Sequence, residues 1–258
     1  MKCTFPLALT FLTVLPWPRL GQVGPGDLAR SMFWFPWVGL ILGLGFWGAF
    51  LGLQGFFPPA AAAALLLTLT VLATRGLHLD GLADTVDGLG GGNTPEKRLA
   101  IMKDSRLGAF GAVSLLLALL LKFSFFLVWA ETGPGPGFIV YPVLSRWGMV
   151  FLAYLSPYAR PEGGLGQAMT AGVTGKALLG ATLSTLVLTL LIAGIYGVLL
   201  LAAAAAAVWL LNIYFQKKLG GVTGDVLGAA NEVLEILALM GLLLCNHLFP
   251  TVSYLQFF

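Results

Sequence analysis

Charge is what this sequence has least of. Only 10% of its 258 residues are Asp, Glu, Lys or Arg, against roughly a quarter in a soluble domain. That is too little to cover a surface facing water. With 58% hydrophobic residues arranged in long apolar runs, a soluble enzyme is excluded and an integral membrane protein is implied. Cysteine is as scarce. Cys3 and Cys245 stand at opposite ends of the chain, which excludes a thiolate metal cluster and argues against a structural disulfide. Both read as small apolar residues. The two histidines, His78 and His247, read as packing or hydrogen-bonding residues. A net charge of +3 is too small to point to nucleic acid. The opening stretch "MKCTFPLALTFLTVLPWPRL" lacks the small-residue cleavage site of a signal peptide, and Pro6, Pro16 and Pro18 interrupt any spanning helix. Residues 1–31 therefore read as an interfacial or re-entrant segment.

What is there is apolar length. Seven segments approach the roughly 20 residues needed to cross a bilayer: Met32 to Phe57, Pro58 to Thr74, Ala109 to Ala130, Phe138 to Ser156, Ala177 to Ile195, Gly197 to Phe215 and Val233 to Phe249. The fifth and sixth form one run too long for a single span, and Gly194 and Gly197 permit a turn between them. The predicted architecture is an all-α, polytopic membrane protein of about seven transmembrane helices, with residues 1–258 forming one membrane-embedded domain. Basic residues fix its orientation. Lys2, Arg19, Arg30, Arg75, Lys97, Arg98, Lys103, Arg106, Arg160, Lys176, Lys217 and Lys218 all fall on one side of this arrangement, 12 of the 14 in the chain. The opposite connections carry none, so the basic side is predicted to be cytoplasmic.

The scarce carboxylates are not scattered. "HLDGLADTVDGLGGG" puts Asp80, Asp84 and Asp87 at i, i+4 and i+7, on one face of a helix about a turn apart. Like charges stacked this way repel and add nothing to a fold, and no Lys or Arg is interleaved. A divalent cation is the economical explanation, and all-oxygen donors suit Mg²⁺ or Mn²⁺ rather than zinc. The glycines after the trio, Gly90 and Gly91 among them, permit close approach of backbone amides to phosphate. Downstream, "EKRLAIMKDSRLGAFG" places Lys97, Arg98, Lys103 and Arg106 around Asp104, a set able to hold a diphosphate. Residues 75–108 are thus predicted to be an acidic catalytic loop. A second one, 216–232, carries "GGVTGDVLGAANE", in which Asp225 and Glu232 are seven apart and Asn231 adjoins, again one helical face of oxygen donors. Glu235 falls near the membrane boundary. Two cations remain inside spans: Lys122, whose long stem can snorkel, and Arg146, which near mid-span calls for a carboxylate or a substrate phosphate.

These residues resemble the cobalamin synthase (adenosylcobinamide-GDP ribazoletransferase) family. "RGLHLDGLADTVDGLGGG" followed by "RLAIMKDSRLGAFG" looks like its signature, and "FLTVLP", "LLKF", "LSRW" and "GGVTGDVLGAANE" occur in the family's order along nearly the whole chain. The resemblance implies a magnesium-dependent enzyme of the bacterial cytoplasmic (inner) membrane with its active site facing the cytoplasm. Such an enzyme is a phosphotransferase for substituted phosphate groups. Its substrates are adenosylcobinamide-GDP and alpha-ribazole or alpha-ribazole 5′-phosphate, and its products adenosylcobalamin (or the 5′-phosphate) and GMP. The pattern D-G-x-x-A is also similar to CDP-alcohol phosphotransferases, but those carry arginine where this chain has Asp84.

In that light Asp80, Asp84 and Asp87 are expected to hold Mg²⁺, with Asp225 and Glu232 feeding a second ion. Lys103 and Arg106 are expected to neutralise phosphate charge, Asp104 or Asp225 to accept the hydroxyl proton, and Gly90, Gly91, Lys122, Arg146 and Asn231 to contact substrate. The expected partners are the two small-molecule substrates and the lipid bilayer, with no nucleic acid and a homo-oligomer left open. An ion-coupled transporter is the rival class, since it too places acids and bases within spans.

Overall fold

The computed structural model describes residues 4–18, 21–24, 26–133 and 135–248. Lys2, Cys3, Arg19, Phe249 and the tail after it lie outside the described residues. Among the described residues eleven α-helices follow one another: α1 (Thr4–Leu12), α2 (Asp27–Ser31), α3 (Phe35–Gln54), α4 (Pro59–Ala73), α5 (Leu77–Gly91), α6 (Pro95–Ile101), α7 (Ala109–Thr132), α8 (Val140–Leu155), α9 (Leu165–Thr170), α10 (Gly175–Leu219) and α11 (Gly224–Leu248). Among the described residues the only β pairing is a single bridge between Tyr158 and Val222.

Among the described residues five helical stretches are long and apolar enough to cross a membrane: Asp27–Gln54, Ala109–Thr132, Pro136–Leu155, Gly175–Leu219 and Gly224–Leu248. A sixth arises if Pro59–Ala73 and Leu77–Gly91, which meet at 85°, count as one broken span. The α1 helix, with nine residues, extends roughly 13 Å, too short to cross.

α8 is the axis of the bundle. From Val140 to Val150 every residue is buried, the pattern of a helix surrounded by others. It packs on α3, α10 and α11. Gly39 and Gly43 let α3 approach so closely that a Cβ on either would overlap the Pro142 or Ile139 carbonyl of this segment, the small-xxx-small device of membrane helices.

The 45 residues of α10 do not run straight. Gly194 has φ 57 and ψ −140, outside the helical region, and a Cβ on Gly197 would collide with the Thr189 carbonyl, which a continuous helix would hold two turns away. Both ends of the stretch return to the same end of α8. Gly175 lies beside the Tyr154 hydroxyl, and Ser156 Oγ donates to Asn212 Oδ1 at 2.6 Å. The break expected near Gly194 and Gly197 is where the chain reverses.

Two expectations are corrected. The stretch 75–108 is mostly helical, consisting of α5 and α6 with short connections. The second loop shrinks to a turn at 220–223, because Gly220 (φ 77) ends α10 and Thr223 Oγ1 caps the next helix by accepting the Val226 amide at 3.3 Å. The last span therefore begins at Gly224 rather than Val233. The polar run "GDVLGAANE" reads as a solvent-facing loop because isolated charges are costly in hydrocarbon. In the fold those charges are not isolated.

Candidate functional site

The site grows from a sharp corner. α4 ends at Ala73, Arg75 (φ 55) and Gly76 (φ 65) both take the left-handed conformation, and α5 leaves at 85°. Arg75 is the one non-glycine residue with positive φ among the described residues. Its guanidinium steadies the corner by donating to the Thr10 and Thr13 carbonyls at 2.9 and 3.1 Å. α5 then crosses α11 at two glycines. A Cβ on Gly81 would sit 2.6 Å from the Asp225 carbonyl oxygen, and one on Gly228 3.3 Å from the His78 Cα. Only this close crossing sets the first turn of α11, with Asp225, beside the Asp80–Asp84 face of α5.

Asp84 lies at the centre of the acidic cluster. Burial, then the charges of Asp80, Asp225 and Asp87, push its carboxyl up to about 6, with Arg160 pulling the other way. Arg160 arrives from a distant loop. The Tyr158–Val222 bridge, with Ala159 donating to the Val222 carbonyl at 2.9 Å, docks that loop beside the start of α11. There Arg160 Nη2 donates to Asp225 Oδ2 at 2.8 Å, and Thr223 Oγ1 donates to the same oxygen at 3.2 Å. Beside the cluster opens a cavity of about 730 Å³ lined by Asp80, Asp84, Ser105 and the Arg75 corner together with apolar side chains, Phe11, Leu107, Leu115 and Leu119 among them. Such a volume suits a sizeable ligand with polar and apolar parts.

Asp87 has a different task. Its two oxygens accept the amides of Gly108 and Gly111, each at 2.8 Å, which caps the N-terminus of α7 from outside. Gly108 and Gly111 are glycines because a Cβ on either would overlap that carboxylate. This ties α7 to α5 and leaves Asp80, Asp84 and Asp225 as the less committed acids. The expectation for Gly90 and Gly91 is also corrected. α5 runs through Gly91, so their amides belong to the helix ladder rather than to a phosphate nest. A Cβ on Gly90 would meet the Phe110 ring at 2.6 Å and one on Gly91 the Ile101 side chain at 3.1 Å. These glycines serve close packing.

The basic residues downstream face outward. Arg106 grips Asp104 through Nε to Oδ1 at 3.0 Å and Nη2 to Oδ2 at 2.6 Å, and these bonds hold the Asp104 carboxyl down at about 2. Lys103 pairs with Glu162 of the Arg160 loop. Arg98 donates to the Gly92 and Lys218 carbonyls at 3.0 and 2.9 Å, joining α6 to the end of α10, and Lys97 is exposed.

A second charged group lies inside the bundle. Lys122 of α7 donates to Glu232 at 2.6 Å and to Glu235 at 2.5 Å, and Arg146 of α8 pairs with Glu235 and also donates to Ser145 Oγ. Asn231 Nδ2 donates to Glu235 Oε1 at 3.1 Å and to His78 Nδ1 at 3.0 Å, which extends the network to α5. All of these side chains are buried. Arg146 has found a carboxylate, one of the two partners expected for it. Glu232, expected to feed a second metal, is committed to Lys122 instead, because two intramembrane cations demand two carboxylates. Lys122, Arg146 and Asn231, expected to contact substrate, are likewise committed to this network. The cavity beside it holds only about 10 Å³, room for about one water.

Sequence reasoning missed the part played by Glu235, although balancing Lys122 and Arg146 against the acids of α11 would have found it. It gave Arg160 no role beyond topology, and nothing in its local spacing carries a signal. Among the described residues no three His, Cys, Asp or Glu side chains converge as a finished metal shell. The fit of a divalent cation rests on donor chemistry: oxygen-only ligands crowded until Asp84 resists ionisation.

A family model described as cobalamin-5-phosphate synthase matches residues 4–243. Over 237 residues the chain is 44% identical to the adenosylcobinamide-GDP ribazoletransferase of Syntrophobacter fumaroxidans, covering 91% of this chain and 96% of the relative. It is 42% identical over 239 residues to the protein of that name in Desulfitobacterium hafniense, covering 91% and 94%. Against the Pseudomonas putida KT2440 protein of the same name, it is 44% identical over 241 residues, covering 93% and 98%. No solved structure matches the chain.

Proposed function

The chain belongs to the cobalamin-5-phosphate synthase family, and on that premise we propose that it transfers the phosphocobinamide group of adenosylcobinamide-GDP to alpha-ribazole or alpha-ribazole 5′-phosphate, releasing GMP. One observation carries this beyond kinship. Three incompletely neutralised acids, Asp80, Asp84 and Asp225, gather where α5 crosses α11, and Asp80 and Asp84 line a cavity shared with apolar side chains.

In this reading the acceptor hydroxyl oxygen attacks the phosphorus nearest cobinamide. The new P–O bond forms as the anhydride bond breaks, and GMP leaves with the bonding electrons. Asp80, Asp84 and Asp225 are the residues that would hold Mg²⁺ or Mn²⁺, which when bound supplies positive charge for the diphosphate oxygens. The hydroxyl proton goes to a carboxylate. Of the two candidate acceptors, Asp104 is held at about 2 by Arg106 and is a weak base, and Asp225 serves only through an oxygen that the cation leaves free. Lys103 and Arg106 draw the anionic substrate toward the site from exposed positions.

The same reading sets seven crossings, with α4 as the second and α10 as two, and places the acidic cluster on the cytoplasmic face of a bacterial inner membrane. Support comes from the connections around 55–58, 133–135 and 194–197, none of which contains Lys or Arg. Cysteines introduced at Ser105 and Thr132 are expected to react with an impermeant thiol reagent from opposite faces of sealed vesicles. Reaction of both from one face contradicts the topology. A transporter reading draws less support, because the intramembrane acids and bases satisfy one another. Purified protein in detergent, where no gradient exists, is expected to release GMP from adenosylcobinamide-GDP only when alpha-ribazole or its phosphate and a divalent cation are present. Absence of GMP with every divalent cation tried contradicts the proposal.

A further inference from the structure

The transferase reading leaves one question of charge. A diphosphate ester brought to the acidic cluster needs a cation from the protein, and most of the basic residues nearby are occupied with backbone carbonyls or outward-facing acids. Arg75 donates to carbonyls of the α1 segment, Arg98 to those of Gly92 and Lys218, Lys103 pairs with Glu162 and Arg106 with Asp104. Arg160 differs from these. Its guanidinium is mostly buried, reaches Asp225 through Nη2 at 2.8 Å, and is the cation whose charge is felt at Asp84. Its Nε is buried and makes no hydrogen bond among the described residues. A single N–H to one carboxylate oxygen leaves most of the guanidinium fork unused.

We propose that Arg160 is a catalytic phosphate-binding residue that stands on Asp225 until substrate arrives and then exchanges that carboxylate for the phosphoryl oxygens. This rests on the transferase reading and names the protein group that meets the transferring phosphate. In the resting arrangement Arg160 supplies positive charge that the crowded acids lack and shields one oxygen of Asp225. Asp225 is among the residues that would hold a divalent cation, and with that carboxylate so engaged the guanidinium would stand free beside the same cluster, where its planar fork matches two phosphoryl oxygens. The loop that carries it is held from both sides, by the Ala159–Val222 backbone bond and by Glu162 on Lys103, so the side chain moves while its backbone stays.

The test separates a competitor for Asp225 from a strut. Arg160→Gln and Arg160→Lys are purified beside the wild type, checked for an unchanged melting temperature, and titrated with Mn²⁺ alone, without substrate, by electron paramagnetic resonance. GMP release is then measured at saturating Mg²⁺. For Arg160→Gln the expected Mn²⁺ affinity rises about threefold while kcat falls about 100-fold. Arg160→Lys keeps near-wild-type Mn²⁺ affinity and still loses about tenfold in kcat, because an ammonium lacks the fork. Weaker Mn²⁺ binding in Arg160→Gln, with lysine restoring both affinity and turnover, overturns the proposal in favour of a strut. An unchanged kcat in either variant also overturns it. If glutamine prevents folding, the kcat of the lysine variant decides between the two. Failure of the transferase reading looks different: the wild type itself then releases no GMP.

Discussion

Two charged groups meet where α5 packs along α11, and they are built on opposite rules. Inside the bundle, Lys122 and Arg146 face Glu232 and Glu235, and Asn231 and His78 take up further hydrogen bonds. Positive and negative charges balance. Along α5 and at the start of α11, Asp80, Asp84, Asp87 and Asp225 have Arg160 for a cation. They do not balance, and the excess faces a cavity. Buried charge is tolerated in hydrocarbon when each group is paired, so the inner group explains why four helices hold one register. Asp87 apart, which caps α7, the outer group has no such account in the fold itself. Its unpaired carboxylates make sense when a cation and an anionic substrate complete them.

The comparison can be broken most severely from its inner half. Lys122→Met leaves Glu232 buried without a partner and is expected to destabilise the protein by roughly 3–5 kcal/mol, read as a drop in melting temperature in detergent. Adding Glu232→Gln to the same chain is expected to recover most of the loss. No recovery means the pair is not the reason for the cost.

The outer half should respond the other way. Asp84→Asn is expected to abolish at least about 99% of GMP release without lowering the melting temperature. Its stability effect has a sign set by pH. Asp84 is raised from 3.8 to about 6 in the fold, and an acid whose folded pKa is raised costs stability progressively as pH climbs through that window. The asparagine variant is therefore expected to match wild type below about pH 3.8 and to melt somewhat higher above pH 6 when no divalent cation is present. A variant that melts lower at pH 7 would mean that Asp84 is structural after all.

Between these lies Gly81→Ala, which sharpens the link between the two groups. Its Cβ would lie 2.6 Å from the Asp225 carbonyl, forcing α5 off α11 at a cost of about 1–3 kcal/mol. Mn²⁺ binding should weaken along with stability, and undiminished binding would show that the crossing does not position the acids. The smallest effect is expected at Arg106→Gln. Its exposed pair with Asp104 contributes little to folding, so the melting temperature stays put while KM for the nucleotide substrate rises severalfold.

Much of this was legible in the order of residues. Apolar run length exposed the bundle, and Gly194 and Gly197 marked the reversal in α10 because a chain too long for one crossing needs a residue free of Cβ strain. The helical spacing of Asp80, Asp84 and Asp87 was right, yet it hid a division of labour. Asp87 is drawn to amides of α7 that are 21 and 24 residues away, which no local pattern announces. The glycines from 88 onward read as a phosphate nest but serve packing, since a Gly-rich run signals close approach without saying to what. The start of α11 was misplaced because hydropathy scores each charge as though alone, whereas Glu232 and Glu235 enter the bundle with Lys122 and Arg146. Arg160 was out of reach for the same reason as Asp87: a tertiary contact 65 residues away gives it its role.

The central claim is that the excess carboxylates at the α5–α11 crossing form a divalent-cation site. Equilibrium titration of Mn²⁺ into the detergent-purified protein, followed by electron paramagnetic resonance, tests it most directly in wild type beside an Asp80→Asn, Asp84→Asn double variant. Saturable binding in wild type that disappears in a folded double variant is the expected result. Equal binding in both proteins, or none in either, would contradict it.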